Sequence, residues 1–472
     1  MKQELSYLAA LLLCLGAIGA SAEINVPAGA QQSVGVTIYN KNLALVKDRR
    51  QIDVPKGEQT LAFREVSAQI KPETALMNGR DLTVLEQNFE YDLLTPESLL
   101  QKYVGREVTM IRRHPTTGED QSVQAKVLSA GSGVVLQVGD RIETEVSGRL
   151  VYPDVPDTLR DRPTLTMRVE SQQDGPREVE LSYLTGGLSW QADYVAELNA
   201  ADDHLNLSGW VTLINESGAR YPRAQLQLVA GDVNVVQQER ESRGRRQMAM
   251  AAAPPAPPMT EESMFEYHLY TLGRPTDIGV NQKKQVALLQ AAGVACRKEF
   301  VLQGQDYYYA AQVAEIGRKQ KVAVFVELKN NKASGLGLPL PGGVVRVYKK
   351  DGGGLLQFVG EDRVDHTPEQ ELVQLHLGEA FDITADKRQV HFKKIAGSSP
   401  GSAVIESEYE IQVKNAKKEP VTVKVQEPRP GDWEILGESL GHTRESAHAV
   451  SWQLAVPPLE TAALTYRVRV KY

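Results

Sequence analysis

The stretch Val211-Thr212-Leu213-Ile214-Asn215 decides the fold class of this 472-residue chain. Its apolar residues recur at every second position, which places them on one face of a β-strand. The asparagine ends the strand, because its side chain satisfies nearby backbone groups and tolerates left-handed dihedrals. The same pattern recurs at Val36-Thr37-Ile38-Tyr39-Asn40, Val326-Glu327-Leu328-Lys329-Asn330 and Ile411-Gln412-Val413-Lys414-Asn415. We therefore predict an all-β protein built from several antiparallel β-sandwich modules.

Changes in composition and clusters of turn-forming residues divide the chain into predicted modules. Between residues 105 and 150 brief strand patterns follow one another closely, which is typical of a small β-barrel of SH3-like size. The predicted set is a signal peptide at 1–22, N-terminal β-strands at 23–92, the small β-barrel module at 93–152, an aromatic-rich β-sandwich at 153–236, a flexible Pro/Ala-rich linker at 237–264, a second β-sandwich region at 265–402 and a C-terminal immunoglobulin-like β module at 403–472.

Short sequence patterns predict individual helices and strand pairs within these modules. Thr95-Pro96-Glu97-Ser98 predicts the start of one short helix, with threonine as the cap and proline at the first helical position. Alternating stretches on either side of Pro55-Lys56-Gly57 predict a hairpin-like pair. In the last module, residues 408–413 and 421–425 predict another pair of strands. Residues 300–312, with Tyr307-Tyr308-Tyr309, continue a strand pattern.

The first 22 residues have the composition of a removable secretory leader. A charged start is followed by an apolar stretch at residues 8–18, which is too short for a permanent transmembrane helix, and by the small residues Ala20-Ser21-Ala22 before Glu23. Cys14 raises a lipoprotein alternative, but leucines precede it where lipidation requires a small residue. Charged residues interrupt the later apolar runs, so no membrane-spanning segment is predicted after leader removal. We expect an exported protein of the periplasm or extracellular space.

Charge and cysteine content narrow the classes of partner. The formal charge is -7, and no dense basic stripe occurs outside residues 240–246 of the predicted linker, so nucleic acid is not an expected partner. An envelope protein or a polysaccharide is the expected one, and the oligomeric state is left open. Without Cys14, Cys296 is a single thiol that cannot close an internal disulfide, and we interpret it as a small buried apolar residue.

Aromatic residues concentrate in the region from 165 to 236, where the strand patterns lengthen. Large rings contribute much buried area, so this region is the predicted best-packed core. The alternative is an aromatic platform that stacks on sugar rings. The residues of this candidate core motif are Trp190, Tyr194, Trp210, Asn215 and Tyr221.

Several stretches of the chain resemble the mucoidy-inhibitor-A-like proteins. They are residues 184–194 (Leu-Thr-Gly-Gly-Leu-Ser-Trp-Gln-Ala-Asp-Tyr), 210–215, 224–232, 265–276, 341–348 and 377–382. The resemblance implies a shared domain of unknown function, with no agreed catalytic residues, and points to the cell envelope. Longer members of that family carry a coiled coil where this chain has the small β module near residues 95–150.

One concentration of acidic residues is the candidate functional surface. Such carboxylates can bind calcium or act in pairs in glycoside cleavage, although their spacing fits no EF-hand loop and solvated strand ends are the simpler interpretation. The residues are Glu361, Asp362, Asp365, Asp382 and Asp386.

Other patterns give no catalytic, cofactor-binding or metal-ligating residue. Gly397-Ser398-Ser399-Pro400-Gly401 matches a hydrolase nucleophile elbow, but proline follows Ser399 directly and no helix signal follows, so we interpret it as a turn. The histidines lack the paired helical spacing of zinc ligands. The first functional hypothesis is an exported non-catalytic β-sheet protein that binds or braces another envelope component. The alternative is an exported glycan-active hydrolase using the acidic residues.

Overall fold

A computed structural model describes most of the chain. The described residues are 23–40, 42–114, 116–131, 133–146, 148–156, 158–231, 233–234, 259–313, 315–396 and 403–471. The predicted leader with Cys14, most of the predicted linker and the Gly-x-Ser-x-Gly pattern lie outside the described residues.

Strands dominate the described part of the chain. Its secondary structure comprises β1 (Glu23–Val26), β2 (Gln31–Tyr39), β3 (Leu43–Val54), β4 (Gly57–Arg64), β5 (Leu76–Gly79), β6 (Leu82–Glu90), α1 (Pro96–Lys102), β7 (Glu107–Arg113), β8 (Asp120–Ser129), β9 (Val135–Val138), β10 (Arg141–Glu143), β11 (Arg149–Val151), β12 (Thr164–Ser171), β13 (Gly175–Thr185), β14 (Leu188–Leu198), β15 (His204–Asn215), β16 (Tyr221–Ala230), β17 (Thr260–Met264), β18 (Tyr267–Thr271), β19 (Thr276–Ile278), β20 (Gln282–Gln303), β21 (Glu315–Lys329), β22 (Gly343–Lys350), β23 (Leu356–Val364), β24 (Leu372–Ala396), β25 (Ala403–Asn415), β26 (Val421–Pro428), β27 (Asp432–Glu438), β28 (Thr443–Ser446), β29 (Ala449–Val456) and β30 (Thr461–Lys471). The predicted all-β class is confirmed.

The single α-helix of the described residues begins where the sequence predicted. The Thr95 side chain accepts from the Ser98 backbone N–H at 3.1 Å, and Ser98 Oγ accepts from the Thr95 backbone N–H at 2.9 Å. This reciprocal capping, with proline at the first position, fixes the start of α1. No helix among the described residues is long and apolar enough to cross a membrane.

The chain folds into two compact units, and each unit is built from several separate segments of the sequence. Of the described residues, the first unit takes those up to Ser189 together with Ile214–Gln227 and Arg274–Gln282. The second takes the described residues within Trp190–Leu213, Leu228–Gly273 and Lys283–Tyr472.

Strand pairing in the first unit corrects one prediction. β3 pairs with β2 and β13, whereas β4 pairs with β1 and β12 in another sheet. The predicted hairpin around Pro55-Lys56-Gly57 is therefore wrong, because both edges of β3 are already occupied and the turn carries the chain into a different sheet. The hairpin of this region is β2–β3 instead.

The small module between β7 and β11 forms its own antiparallel sheet. The strand order is β10-β9-β8-β7-β11, and its core includes Tyr103, Val108 and Met110. The two end strands have three residues each and do not pair with each other, so the described residues form an open sheet where the sequence predicted a barrel.

In the second unit, a long sheet runs in the order β23-β22-β14-β15-β20-β21-β24-β25-β30-β27. β26 and β29 pair with each other, and β26 also pairs with β20. The predicted pairing of β25 with β26 is wrong. Their side chains meet instead across a core that contains Ile411, Val423, Trp452 and Val468, because they belong to facing layers.

Buried asparagines end three strands in the way the repeated sequence pattern predicted. Asn215, Asn330 and Asn415 are fully buried. Asn215 Nδ2 donates to the Ala219 carbonyl at 2.9 Å, and its Oδ1 accepts from the Ser217 N–H at 3.0 Å. Asn415 repeats this arrangement at the same spacing. None of the three has a positive φ, so hydrogen bonding alone explains the asparagines.

Candidate functional site

The five predicted acidic residues lie on two strands and one loop of the second unit. Glu361 and Asp362 are neighbours in β23 and point to opposite faces, and Asp365 follows that strand. Asp382 and Asp386 are exposed on β24.

Most of these carboxylates are already engaged locally. Glu361 pairs with Arg346 at 3.2 Å. Asp362 accepts from the backbone N–H of His376 at 2.7 Å, and Asp386 accepts from that of Lys319 at 2.7 Å. These partners hold the acids where they are.

The length of β24 separates the acids further. Asp362 bonds to His376, which pairs with Phe325 of β21, whereas Ala385, the neighbour of Asp386, pairs with Gln320. Those five residues of β21 span roughly 16 Å. Glycosidase carboxylates stand about 5 to 9.5 Å apart. The described residues also contain no group of three or more His, Cys, Asp or Glu suited to a metal ion. The acidic residues therefore do not converge on one centre.

The aromatic motif is mostly part of the protein interior. Trp190, Tyr194 and Tyr221 are buried, and Trp210 is half-buried. The Tyr194 hydroxyl donates to the Pro341 carbonyl at 2.7 Å. Rings in these positions pack the core and are not presented as a sugar-stacking platform.

A buried ionic cluster, which the sequence did not predict, brings six titratable side chains together in the second unit. We define it as Lys387, Glu427, Arg429, Tyr308, Tyr309 and Tyr466. The Lys387 and Glu427 side chains are 2% and 1% exposed. Lys387 lies on β24 and Glu427 on β26, so their ion pair joins the facing layers of the C-terminal core.

Tyrosine hydroxyls complete the hydrogen bonding of the Glu427 carboxylate. Tyr308 and Tyr309 both donate to Oε2, the latter at 2.6 Å. Lys387 Nζ donates to Glu427 Oε1 and to the Tyr308 hydroxyl, at 2.6 Å in the second case. A Cβ atom on Gly304 would lie 2.2 Å from Glu427 Oε2, so glycine is required beside the carboxylate.

Aromatic rings surround the guanidinium of Arg429. Its Cζ lies 4.5 Å from the Tyr309 ring centroid, 5.0 Å from that of Tyr466 and 5.6 Å from that of Trp452. Arg429 Nε and Nη2 have no hydrogen-bond partner among the described residues. Cation–π attraction offsets part of this loss, because the rings present their negative faces to the charge.

Burial and neighbouring charges shift the pKa values of this cluster. Burial lowers the pKa of Lys387 to about 8, although Glu427 opposes the shift. Burial alone would raise the pKa of Glu427, but Lys387 and Arg429 hold it below its ordinary value. Burial also raises the pKa values of Tyr308 and Tyr309. The carboxylate is thus charged at neutral pH, and substrate cannot reach it without opening the core.

The missed cluster did leave a signal in the sequence. Lys387 has the same strand parity as the buried Ile383 and Ala385, and Glu427 that of Val423 and Val425. A charge on the apolar face of an alternating strand predicts a buried partner. The predicted strand at residues 307–309 is also wrong, since Tyr307–Tyr309 forms a 3-10 turn that brings two hydroxyls to the carboxylate.

The thiol of Cys296 is partly buried in β20. Burial raises its pKa to about 11, and Asp203 and Asp202 add to the shift. The thiolate is therefore disfavoured, which makes this cysteine a poor nucleophile.

One family model covers more than half of the chain. A family model described as "Domain of unknown function (DUF4139)" matches residues 179–472. The chain belongs to the DUF4139 family. The matched segment contains both the five acidic residues and the buried ionic cluster of this DUF4139 protein. No curated protein matches the chain.

Proposed function

We propose that this DUF4139 protein is exported and acts in the cell envelope as a non-catalytic β-sheet protein that binds or braces another envelope component. One observation carries the proposal. The concentrated titratable groups are sealed inside the C-terminal core, whereas the exposed acids are spread over β23 and β24. A buried cross-layer ion pair supports a rigid scaffold, and dispersed acids supply surface charge.

Export rests on the leader-like first 22 residues and on the resemblance to mucoidy-inhibitor-A-like proteins, whose name points to the envelope. Mass spectrometry of the mature amino terminus tests this part. A terminus at Glu23 supports a free exported protein. A diacylated Cys14 would instead indicate a lipid-tethered form of the same scaffold.

The alternative of a glycan hydrolase has no geometric support. The nearest acids on β23 point to opposite faces, and Asp382 and Asp386 stand roughly 13 Å apart along one strand. Neither arrangement matches the separations of about 5 to 9.5 Å used in glycoside cleavage.

Neutralising the candidate surface separates the two functions. The variant combines Glu361→Gln, Asp362→Asn, Asp365→Asn, Asp382→Asn and Asp386→Asn. In a strain lacking the wild-type protein, we expect it to restore the envelope phenotype, and we expect neither protein to release reducing ends from envelope polysaccharide. A matched control neutralises five exposed acids elsewhere: Glu97, Glu107, Glu119, Asp120 and Asp140. Reducing ends released by wild type and lost only in the first variant would refute the non-catalytic proposal.

A further inference from the structure

The β17–β18 hairpin has a turn that is unusual in its sequence. Met264 pairs with Tyr267, so the loop consists of Phe265 and Glu266 alone. Two-residue hairpin loops require positive φ at the first position and normally use asparagine or glycine there. Phe265 has a φ of 58°. A bulky aromatic side chain is disfavoured in this conformation, so something other than local folding explains the phenylalanine.

The Phe265 ring contributes little to the core, because it is 85% exposed. Beside it, Met264 is 39% exposed, and the ring of Tyr267 lies 6.1 Å from that of Phe265. These three residues form an apolar tip. Burial of this apolar surface against a partner would offset the backbone cost of the turn.

The tip is held from beneath. Tyr267 packs so closely on Gly231 that a Cβ atom there would lie 2.6 Å from its Cδ1. Across the hairpin, the Nδ1 atom of His268 on β18 lies 2.7 Å from the Oε1 atom of Glu261 on β17. A backbone held in this way loses less freedom when Phe265 binds a partner, which favours recognition.

Charge around the tip selects the kind of partner. Glu262 and Glu266 are exposed on either side of Phe265. Two carboxylates at this point repel the anionic surface of a membrane. They complement a protein pocket with an apolar floor and a rim of arginine or lysine.

We propose that the hairpin tip is a docking element whose Phe265 inserts into a basic-rimmed apolar pocket of a protein partner. The inference rests on the proposed binding function and names the class of partner. Exposure alone would not support it, since Phe381 on β24 is 95% exposed and has no positive φ. Phe265 differs because strain, anchoring and flanking charge coincide there.

Photo-crosslinking in the producing cell tests the proposal. The probe is Phe265→p-benzoylphenylalanine, and Phe381→p-benzoylphenylalanine is the matched control. We expect position 265 to crosslink a protein through a peptide that carries apolar residues and arginine or lysine. Lipid adducts, or no adduct at 265, would overturn the docking element. Crosslinks to a protein at position 381 alone would also overturn the docking element, but they would remain consistent with the proposed binding function.

Binding to the purified crosslinked protein completes the test. Phe265→Asn fits the left-handed turn, so its melting temperature should equal or exceed that of the wild type. We expect it to bind about tenfold or more weakly. Glu262→Lys with Glu266→Lys should weaken binding too, with the wild-type affinity falling as salt rises. Equal binding by Phe265→Asn and wild type would refute the inference.

Discussion

Arg50 in the first unit and Arg429 in the second are both buried, but different surroundings stabilise them. Arg50 donates to Asp48 through Nε and Nη2 at 3.0 and 2.6 Å, and to the Val26 carbonyl at 2.7 Å. Arg429 instead lies among aromatic rings and leaves two nitrogens without hydrogen bonds among the described residues.

Access to water separates the two regions further. Arg50 and Asp48 line a cavity of about 250 Å³ that also reaches the exposed Glu65 and Arg220. Arg429 is 1% exposed and shares its carboxylate, Glu427, with Lys387. If Arg50 or Asp48 loses its partner, water in the adjoining cavity can hydrogen-bond to the remaining group. The buried ionic cluster has no such access to water. A single substitution should therefore cost more in the second unit.

Removing the shared carboxylate should have the largest effect. Glu427→Gln leaves Lys387 and Arg429 as buried cations without an anion, so we expect the free energy of unfolding of the second unit to fall by about 3–5 kcal/mol. All four tryptophans lie in this unit, so their fluorescence in urea reports the loss. Glu410→Gln is the control, because it removes a carboxylate from a pair with the exposed Arg388. Equal losses in the two variants would contradict the special role of the cluster.

Stability of the second unit should depend on the ionisation of Lys387. Its pKa is lowered to about 8 in the folded protein from 10.5, so above pH 8 the unfolded chain binds more protons than the folded one. Stability then rises with pH in this window, by about 2 kcal/mol between pH 8 and 10 relative to Lys387→Met. Urea titrations of both proteins across this range measure the difference. A constant difference would show that Lys387 titrates alike in both states.

Removing the Asp48 carboxylate from the first unit should lower the free energy of unfolding by a smaller amount. Asp48→Asn keeps the Val26 carbonyl as an acceptor for Arg50, and the adjoining cavity admits water, so we expect a loss of about 1–2 kcal/mol. Far-UV circular dichroism should detect it while the tryptophan transition stays in place. A loss as large as that of Glu427→Gln would remove the distinction between the two regions.

The smallest effect should come from removing one cation of the cluster. In Lys387→Met, Glu427 keeps Arg429 and the hydroxyls of Tyr308 and Tyr309, and a costly buried ammonium is gone. We expect the free energy of unfolding to change by less than about 1 kcal/mol. Urea unfolding at pH 7 tests this expectation. A large loss would mean that Lys387 is the main partner of the carboxylate.

Sequence alternation predicted faces well and neighbours poorly. It identified the strands around Ile411 and Val423 and the asparagines that end three strands. Both features depend only on residues close together in the sequence, since they arise from side-chain alternation and local hydrogen bonds. It gave wrong pairings for β3 with β4 and for β25 with β26, since a strand pattern does not specify which edge it meets.

The contacts of the buried ionic cluster could not be predicted from alternation for the same reason, because they join residues far apart in the sequence. Glu427 meets Lys387 only after the chain has crossed from one layer to the other, and the exchange of segments between units follows no local signal. The two-residue turn at Phe265 was not predicted either, because its sequence lacks the asparagine or glycine that is typical of such a loop.

The position of β13 has a practical consequence for anyone shortening this chain. The family match begins at residue 179, inside a strand whose two edges are occupied by β3 and β5. A truncated polypeptide starting there would lose both neighbours, which would leave the backbone groups at the edges of β13 unpaired and uncover the buried side chains of Val179, Leu181 and Tyr183. Such an edge invites intermolecular strand pairing, so the excised domain should aggregate where the longer protein does not.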